Sequence, residues 1–313
     1  MPEELKEKVR QMALEAGAVA AGFARAEPVD AAGAEAFSGY LERGAHFSMG
    51  YMENYRGIRL NPLLLFTPEA SAGTVISMAF PYYHAEANPL FARYAQGEDY
   101  HKVLRRRLKP LARFISEACG GVRCRICVDT APVLERYWAR MCGIGFTGRN
   151  GCLIVPGAGS WCFLAEIVTE AVFEPDQPCG TTCGACGRCI RVCPGGALRS
   201  AGGFDSGRCL SCLTIEHRGE WPGDIPVPVA GSRAIYGCDE CQRVCPHNAA
   251  AAPGLIEFAP SPDMRHLTPE DIQNLTPERY GAIFASSAVT RCPLEQLQRN
   301  VGILLEKKVN KNF

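Results

Sequence analysis

The chain has 313 residues, of which 47% are hydrophobic and 21% charged, and this composition predicts a globular protein with a sizeable core. The 33 basic and 33 acidic side chains cancel, so the net charge neither requires nor excludes a polyanionic partner. No stretch approaches the roughly 18 uninterrupted apolar residues of a membrane span, and the first ten residues are charged rather than typical of a signal peptide. We therefore expect a cytoplasmic protein.

Hydrophobic periodicity gives the elements of the amino-terminal half. Apolar residues at helical spacing predict helices over residues 3–16 and 99–118, the second with Leu104, Leu108, Leu111 and Ile115 on one face. Strand-like runs lie at residues 18–23, 74–80, 124–128, 152–155 and 162–168. Together they predict an α/β or α+β fold with a mixed sheet.

The helix over residues 99–118 carries a cluster of basic side chains and a histidine near its start. The basic residues are Lys102, Arg105, Arg106, Arg107 and Lys109. They form either a nucleic-acid contact or a solvated face. His101 is expected to be structural or a proton shuttle rather than a metal ligand.

Residues 128–132 end a strand and are predicted to begin a helix, with Pro132 in its first turn. Asp129 would then face a site at the carboxyl end of the strand, or merely cap the helix. A helix amino terminus lowers the pKa of a carboxyl group and burial raises it, so the sequence leaves the protonation of Asp129 open.

Glycines punctuate residues 142–152 without the spacing of a dinucleotide fingerprint, which makes a nicotinamide site improbable. They are Gly143, Gly145, Gly148 and Gly151. The stretch is either a loop that lets the backbone approach a large cofactor or a plain turn.

Ten of the 17 cysteines fall between Cys179 and Cys245, a pattern that in a reducing compartment indicates metal ligation or redox chemistry. The first run, C-x2-C-x2-C-x3-C-P, is that of bacterial ferredoxins, whose fourth cysteine ligates the other cluster. It comprises Cys183, Cys186, Cys189 and Cys193. The second run, Cys238, Cys241 and Cys245, lacks one ligand, which either Cys209 or Cys212 supplies.

Crossing the two fourth cysteines predicts two 4Fe–4S clusters. One is held by Cys183, Cys186, Cys189 and Cys245, and the other by Cys193, Cys238, Cys241 and one of Cys209 or Cys212. Paired zinc sites are the alternative, although zinc has no use for a crossed fourth ligand. The remaining cysteines are interpreted as small buried hydrophobes: Cys119, Cys124, Cys127, Cys142, Cys152, Cys162 and Cys292.

Several segments together resemble the epoxyqueuosine reductases, cobalamin-dependent iron-sulfur enzymes that complete queuosine in the tRNA wobble position. They are RYA at 93–95, DYHKVLR at 99–105, VDTAPVLER at 128–136, GIGFTGRN at 143–150, GSW at 159–161, RC at 208–209, LTIE at 213–216 and IYGC at 235–238. The resemblance selects Cys209 as the eighth ligand, whereas Cys212 stands where the family usually has tyrosine.

The resemblance also implies a fold and a set of site residues. It implies an α+β chain with a nitroreductase-like α/β cobalamin domain over residues 1–173, a ferredoxin-like two-cluster domain over 174–252 and a short helical segment over 253–313. Asp129 would be the general acid and His101 would line its pocket. Cobalamin contacts would come from Arg59, Arg136, Gly148, Arg149, Asn150 and Thr214. Arg149 replaces the family's usual lysine and keeps its charge.

The implied activity is reduction of epoxyqueuosine to queuosine with two electrons and two protons. Two 4Fe–4S clusters would pass electrons from a low-potential ferredoxin or flavodoxin to cobalamin, and tRNA would be the partner. The alternatives are a reductive dehalogenase, a divergent reductase of another substrate, and a non-catalytic electron-transfer protein.

Overall fold

The computed structural model describes residues 2–199, 203–222 and 234–309, with side chains described to residue 303 in the last helix. The strands are β1 Ala20–Arg25, β2 Thr74–Pro81, β3 Cys124–Cys127, β4 Phe146–Thr147, β5 Leu153–Ile154 and β6 Cys162–Thr169. The helices as far as β6 are α1 Glu3–Glu15, α2 Ala31–Glu42, α3 Arg56–Leu60, α4 Tyr100–Ala118 and α5 Glu135–Met141. Those that follow are α6 Arg188–Val192, α7 Leu210–Ile215, α8 Glu240–Arg243, α9 Pro262–His266, α10 Pro269–Gln273, α11 Pro277–Phe284 and α12 Leu294–Val309.

The main sheet has the order β1-β2-β6-β3, and β4 pairs with β5 in a separate ribbon. Every one of these described pairings is antiparallel, so the prediction of a mixed sheet is wrong. Apolar runs give strand positions but not direction, because a strand covered by helices on both faces has the same composition either way. The predicted α+β class is confirmed.

Helices α1 and α4 cover one face of the sheet. The four apolar residues predicted to share a face of α4 are all buried there, against strand residues such as Ile76 and Met78. Asp99 caps this helix by accepting the backbone N–H of His101 at 3.0 Å. The capping places the first turn of α4, with Tyr100 and His101, at the end of the sheet where β3 finishes.

Helix α5 covers the opposite face of the sheet. Trp138, Ala139 and Cys142 bury their side chains there against Val75, Ala79 and Val168. The one carboxylate buried in this face is Glu166 of β6, which is 0% exposed.

The described part of the cysteine-rich segment contains the short helices α6, α7 and α8 and has few buried apolar side chains. A third core joins the carboxyl-terminal helices to the rest: Phe284, Leu297 and Val301 pack with Phe91 and Tyr236. The predicted division at residues 173 and 252 stays a prediction. Within the described ranges, no helix combines the length and apolar character needed to cross a bilayer.

Candidate active site

The loop after β3 holds Asp129 in a left-handed backbone conformation, with φ of 54°. Two tight turns follow, in which the N–H of Thr130 donates to Val128 O at 2.6 Å and that of Val133 to Ala131 O at 2.8 Å. These turns redirect the chain, so α5 begins only at Glu135 and has Leu134 as its N-cap. A helix beginning at Pro132 and capped by Asp129 is therefore wrong. The fixed φ of proline suits a turn as well as a helix.

Asp129 belongs to a line of three ionisable side chains. His101 Nδ1 lies 2.7 Å from Asp99 Oδ1, and its Nε2 lies 3.1 Å from Asp129 Oδ2. The imidazole also stacks on the ring of Tyr100, with 4.0 Å between centroids. The Asp129 side chain is 57% exposed, so a ligand can reach it.

The charges of these groups follow from their contacts. Burial alone would lower the pKa of His101, but its hydrogen bonds to Asp129 and Asp99 outweigh burial and raise the pKa to about 9. Burial alone would raise the pKa of Asp129, yet the hydrogen bond and charge of His101 bring it below its ordinary value. At neutral pH the pair therefore holds one proton, which resides on His101.

Two side chains that were not predicted as members of this site hold the loop of Asp129 in place. Glu135 Oε1 accepts the backbone N–H of Asp129 at 2.5 Å, and Arg105 donates to Thr130 Oγ1 at 3.0 Å. Glu135 lies within the family-like stretch 128–136, but neither periodicity nor spacing marks it as a site residue. The contact depends on the turn at Asp129, which the sequence did not reveal.

Two arginines from distant parts of the chain lie near Asp129. The predicted contact Arg59 lies near Asp129; burial lowers the pKa of Arg59, and the charges of Tyr51 and Asp129 oppose this. Arg291 forms an ion pair with Glu216 at 2.7 Å, and its charge helps to lower the pKa of Asp129. Arg291 was missed because it lies 162 residues from Asp129 in the sequence.

The glycines of the glycine-rich loop are needed for close packing and for backbone conformation. Gly143 and Gly145 are required by packing, because a Cβ would lie 2.4 Å from Gln177 O and 2.5 Å from Ile154 O. Gly151 has φ of 77°, and Arg136 donates to its carbonyl at 2.5 Å. Close internal packing therefore explains part of the glycine pattern. The rest of the pattern lies at the far end of the loop.

Three predicted cobalamin contacts, Gly148, Arg149 and Asn150, occupy that far end. A Cβ on Gly148 would lie 2.6 Å from Asn150 Oδ1, so the glycine permits the loop to close on itself. Asn150 is 7% exposed, and its Nδ2 is buried with no hydrogen-bond partner among the described residues. An unpaired buried amide donor is costly, and an acceptor on a ligand would satisfy it.

Thr214 lies deeper in the protein. It is 2% exposed, its hydroxyl donates to Leu210 O at 2.8 Å, and the same oxygen accepts the N–H of Gly237 at 2.9 Å. The hydroxyl is thus engaged within the protein. Among the predicted cobalamin contacts, Thr214 has the weakest structural support.

The first set of predicted cluster ligands lines one shared pocket that is open to solvent. Its lining includes Cys183, Cys186, Cys189 and Cys245. The backbone N–H of Arg149 points at Cys183 Sγ from 3.4 Å, so the glycine-rich loop contacts this set directly. Such N–H groups stabilise thiolates bound to iron.

The second set of predicted cluster ligands also lies close together in the structure. Burial raises the pKa of the Cys209 thiol and the nearby Cys193 raises it further, while Cys209 in turn contributes to raising the pKa values of Cys238 and Cys241. Cys212, at 6% exposure, packs in the interior next to Cys209. The structure thus brings Cys209 to the other three members.

The other cysteines were predicted to be small buried hydrophobes, and only some of them are. Cys127, Cys142 and Cys292 are buried, but Cys119, Cys124 and Cys162 are partly exposed. Cys152 departs from the prediction more clearly, because its thiol is hydrogen-bonded to that of Cys241. All 17 cysteines are free thiols, so none is used as a disulfide.

Comparison with known proteins agrees with this geometry. The family model described as "Epoxyqueuosine reductase QueG, DUF1730" matches residues 59–130, and the model described as "4Fe-4S double cluster binding domain" matches residues 182–248. The cysteine-rich segment is therefore a 4Fe–4S double-cluster domain, and the zinc alternative is wrong.

Relatives match over nearly the whole chain. The epoxyqueuosine reductase of Cellulophaga algicola is 34% identical over 96% of this chain and 98% of its own length. An epoxyqueuosine reductase solved with an epoxyqueuosine-modified tRNA-Tyr stem loop has a TM-score of 0.85 and 30% identity, covering 97% of this chain and 81% of that one. A Bacillus subtilis epoxyqueuosine reductase, solved with its catalytic aspartate loop swung out of the active site, has a TM-score of 0.84 and 29% identity, with coverage of 97% and 81%. This chain belongs to the epoxyqueuosine reductase family.

Proposed function

We propose that this protein reduces epoxyqueuosine to queuosine in tRNA, with two 4Fe–4S clusters and a bound cobalamin. The observation that carries the proposal is the Asp99–His101–Asp129 line, which holds a proton beside an exposed carboxylate. The same chain carries a double-cluster domain. Proton donation beside an electron supply is what removal of an epoxide oxygen requires.

We propose that eight cysteines ligate the clusters in the crossed arrangement. One cluster takes Cys183, Cys186, Cys189 and Cys245, and the other takes Cys193, Cys209, Cys238 and Cys241. Support comes from the shared cavity of the first set and from the mutual proximity of the second. A low-potential ferredoxin or flavodoxin is the proposed electron source.

We propose that the glycine-rich loop and the arginines near Asp129 hold cobalamin. The residues present suit such a ligand: Asn150 has an unpaired buried amide donor, and Arg149 lies at the same loop. Arg59 and Arg136 supply positive charge near Asp129 and Gly151. When bound, cobalamin would supply the reduced cobalt centre that delivers electrons to the substrate.

The residues of the chain supply the first proton and its orientation. His101 carries the proton at neutral pH and is hydrogen-bonded to Asp129, whose side chain is exposed. As negative charge develops on the epoxide oxygen, the proton moves from His101 to Asp129 and from Asp129 to that oxygen. Asp99 holds the imidazole in line at 2.7 Å and compensates its charge.

Part of the basic cluster on α4 is available for tRNA phosphates. Arg106 and Arg107 are occupied by acidic partners, Glu98 at 3.6 Å and Glu257 at 2.7 Å respectively. Lys102 and Lys109 are exposed, and no ion pair engages either within the described residues. We propose that they help to bind the tRNA and that the reaction takes place in the cytoplasm, where tRNA is used.

One reconstitution tests this function. The protein is loaded anaerobically with iron, sulfide and cobalamin, reduced with a strong reductant, and given tRNA that contains epoxyqueuosine. The nucleoside should lose one oxygen atom by mass. If both cofactors are bound and the epoxide survives, the proposed function is wrong.

Asp129→Asn is the matched variant. It keeps a side chain of the same size but cannot release a proton, so we expect both cofactors to remain bound and turnover to fall about 10²–10⁴-fold. Unchanged turnover would remove Asp129 from the role of acid.

A further inference from the structure

A second carboxyl group lies behind Asp129. Glu135 is the first residue of α5, and its Oε1 accepts the Asp129 N–H at 2.5 Å. Since Oε1 is the accepting oxygen, a neutral Glu135 would carry its proton on Oε2. The bond ties the carboxyl group to the residue proposed as the acid.

The groups that face Glu135 come from four parts of the chain. They are Asp129 from the loop, Arg136 from its own helix, His101 and Tyr100 from α4, and Cys127 and Glu166 from the sheet. Burial raises the pKa of Glu135 to about 8, and the charge of Asp129 contributes to this rise. The hydrogen bond from the Asp129 N–H and the charges of Arg136 and His101 oppose it. Glu135 is therefore mostly protonated at neutral pH.

Glu166 of β6 lies on the side of Glu135 that faces the sheet. It is 0% exposed, Ser77 donates to its Oε1 at 2.9 Å, and its Oε2 has no partner among the described residues. Burial raises its pKa far above the ordinary value, which favours the neutral form. On this side of Glu135 the group that faces it among the described residues is thus a carboxyl group rather than a cation.

The chemistry requires two protons. Converting an epoxide to an alkene breaks both carbon–oxygen bonds and consumes two electrons and two protons, and the oxygen leaves as water. The electrons come from the external low-potential donor through the clusters. The Asp129–His101 pair holds one proton, which is transferred when the first bond breaks. A second must reach the same oxygen before it can depart as water.

We propose that Glu135 holds the second proton of the reaction and passes it to Asp129 for delivery to the departing oxygen. This inference depends on the proposed function. Glu135 does not touch the substrate, so it is a positioning residue that also stores a proton, and it is reprotonated from solvent after each turnover. The bond from the Asp129 N–H holds the Glu135 carboxyl group against the residue that receives the proton.

Glu135→Gln separates proton storage from loop positioning. The glutamine amide oxygen still accepts the Asp129 N–H, but the side chain has no proton to release. Single-turnover rates of the reduced, reconstituted enzyme on epoxyqueuosine-containing tRNA are measured from about pH 6 to about pH 10. The wild-type rate should fall as pH rises through about 8. In the variant we expect a rate at least about 10²-fold lower and no decline near pH 8, so that only the later decline near pH 9, from loss of the His101 proton, remains.

The possible outcomes are distinct. A variant with the rate and pH profile of wild type overturns the proposal. So does a slow variant that keeps the wild-type profile, because Glu135 would then only hold the loop. Failure of the wild-type enzyme to reduce the epoxide would instead refute the proposed function.

An infrared titration tests the inference without turnover or cobalamin. Wild-type protein should show a protonated-carboxyl C=O band that disappears as pH rises through about 8. Glu135→Gln should lack this band. Glu166→Gln, which keeps the acceptor for Ser77, should retain it. Absence of a titrating band in wild type, or its persistence in Glu135→Gln, overturns the proposal even if a variant folds poorly.

Discussion

The sheet region and the cysteine-rich segment are stabilised in different ways. Every residue of β2 is buried, and helices cover both faces of its sheet. Hydrophobic packing therefore holds the loop of Asp129 in position. In the cysteine-rich segment the described helices have four to six residues, and backbone N–H groups point at thiols instead. The sheet region should therefore unfold when its packing is disturbed, and the cysteine-rich segment should unfold when a cluster is lost.

Removing a cluster ligand should have the largest effect. Cys189→Ser takes one thiolate from the first set of proposed ligands, which lines one shared pocket. We expect the iron content to fall by about half, turnover to be lost, and the amides of α6 and α8 to exchange rapidly. Iron and sulfide analysis with hydrogen exchange measures these changes, and β2 should keep its protection.

Cys179→Ser is the matched control. Cys179 lies at the start of the same segment but outside both ligand sets, and its N–H donates to Arg140 O at 3.2 Å, a bond that serine preserves. Iron content should therefore stay at the wild-type level. Equal iron loss in both variants would contradict the ligand assignment, and loss of protection in β2 would show that the two regions are not independently stabilised.

A packing change in the sheet region gives the next largest effect. A Cβ on Gly22 of β1 would lie 1.9 Å from Cys142 O, a backbone atom of the segment that follows α5. The backbone must move to relieve this contact, so Gly22→Ala should lower the free energy of unfolding by about 3 kcal/mol. Chemical denaturation followed by circular dichroism measures the loss, and iron content below the transition should be unchanged.

Gly50→Ala provides the comparison for this variant. A Cβ at Gly50 meets no atom within 4 Å, so the free energy of unfolding should change by no more than about 0.5 kcal/mol. If Gly22→Ala released iron before the sheet unfolded, the clusters would depend on the packing of the sheet, and the contrast between the regions would be wrong.

The sequence predicted local features of both regions well. Cysteine spacing selected seven of the proposed ligands without structural information, since ligation by a cubane cluster imposes a short, regular spacing. The apolar period of α4 placed four buried residues correctly for the same reason, because a helix repeats over a few residues. In each case the information lies within a short stretch of chain.

Features that depend on tertiary contacts were not predictable. The direction of the strands, the turn that delays α5 beyond Pro132 and the bond from Asp129 to Glu135 all arise when distant or oppositely directed segments meet. The protonation of Asp129 was open for the same reason. It depends on His101, 28 residues away, whose ring lies within 3.1 Å only in the folded chain.

The pH dependence of stability sharpens the comparison, because it should originate in the sheet region. His101 has a pKa of about 9 in the folded protein against an ordinary value of 6.5. A raised folded-state pKa stabilises the protein fully below about 6.5, and this contribution is lost as pH rises through about 9. At about 1.4 kcal/mol for each unit of pKa difference, the rise from 6.5 to about 9 makes the loss on the order of 3–4 kcal/mol.

His101→Gln should remove this contribution, so the difference in unfolding free energy between wild type and variant should be largest near pH 6 and shrink toward about pH 10. Denaturation at several pH values measures it. His266→Gln, exposed on α9, serves as the control and should leave the wild-type pH dependence intact. A constant difference across this range would mean that His101 is not protonated between Asp99 and Asp129. The proton for the first step would then have to reside on Asp129 itself, whose pKa would have to be raised rather than lowered.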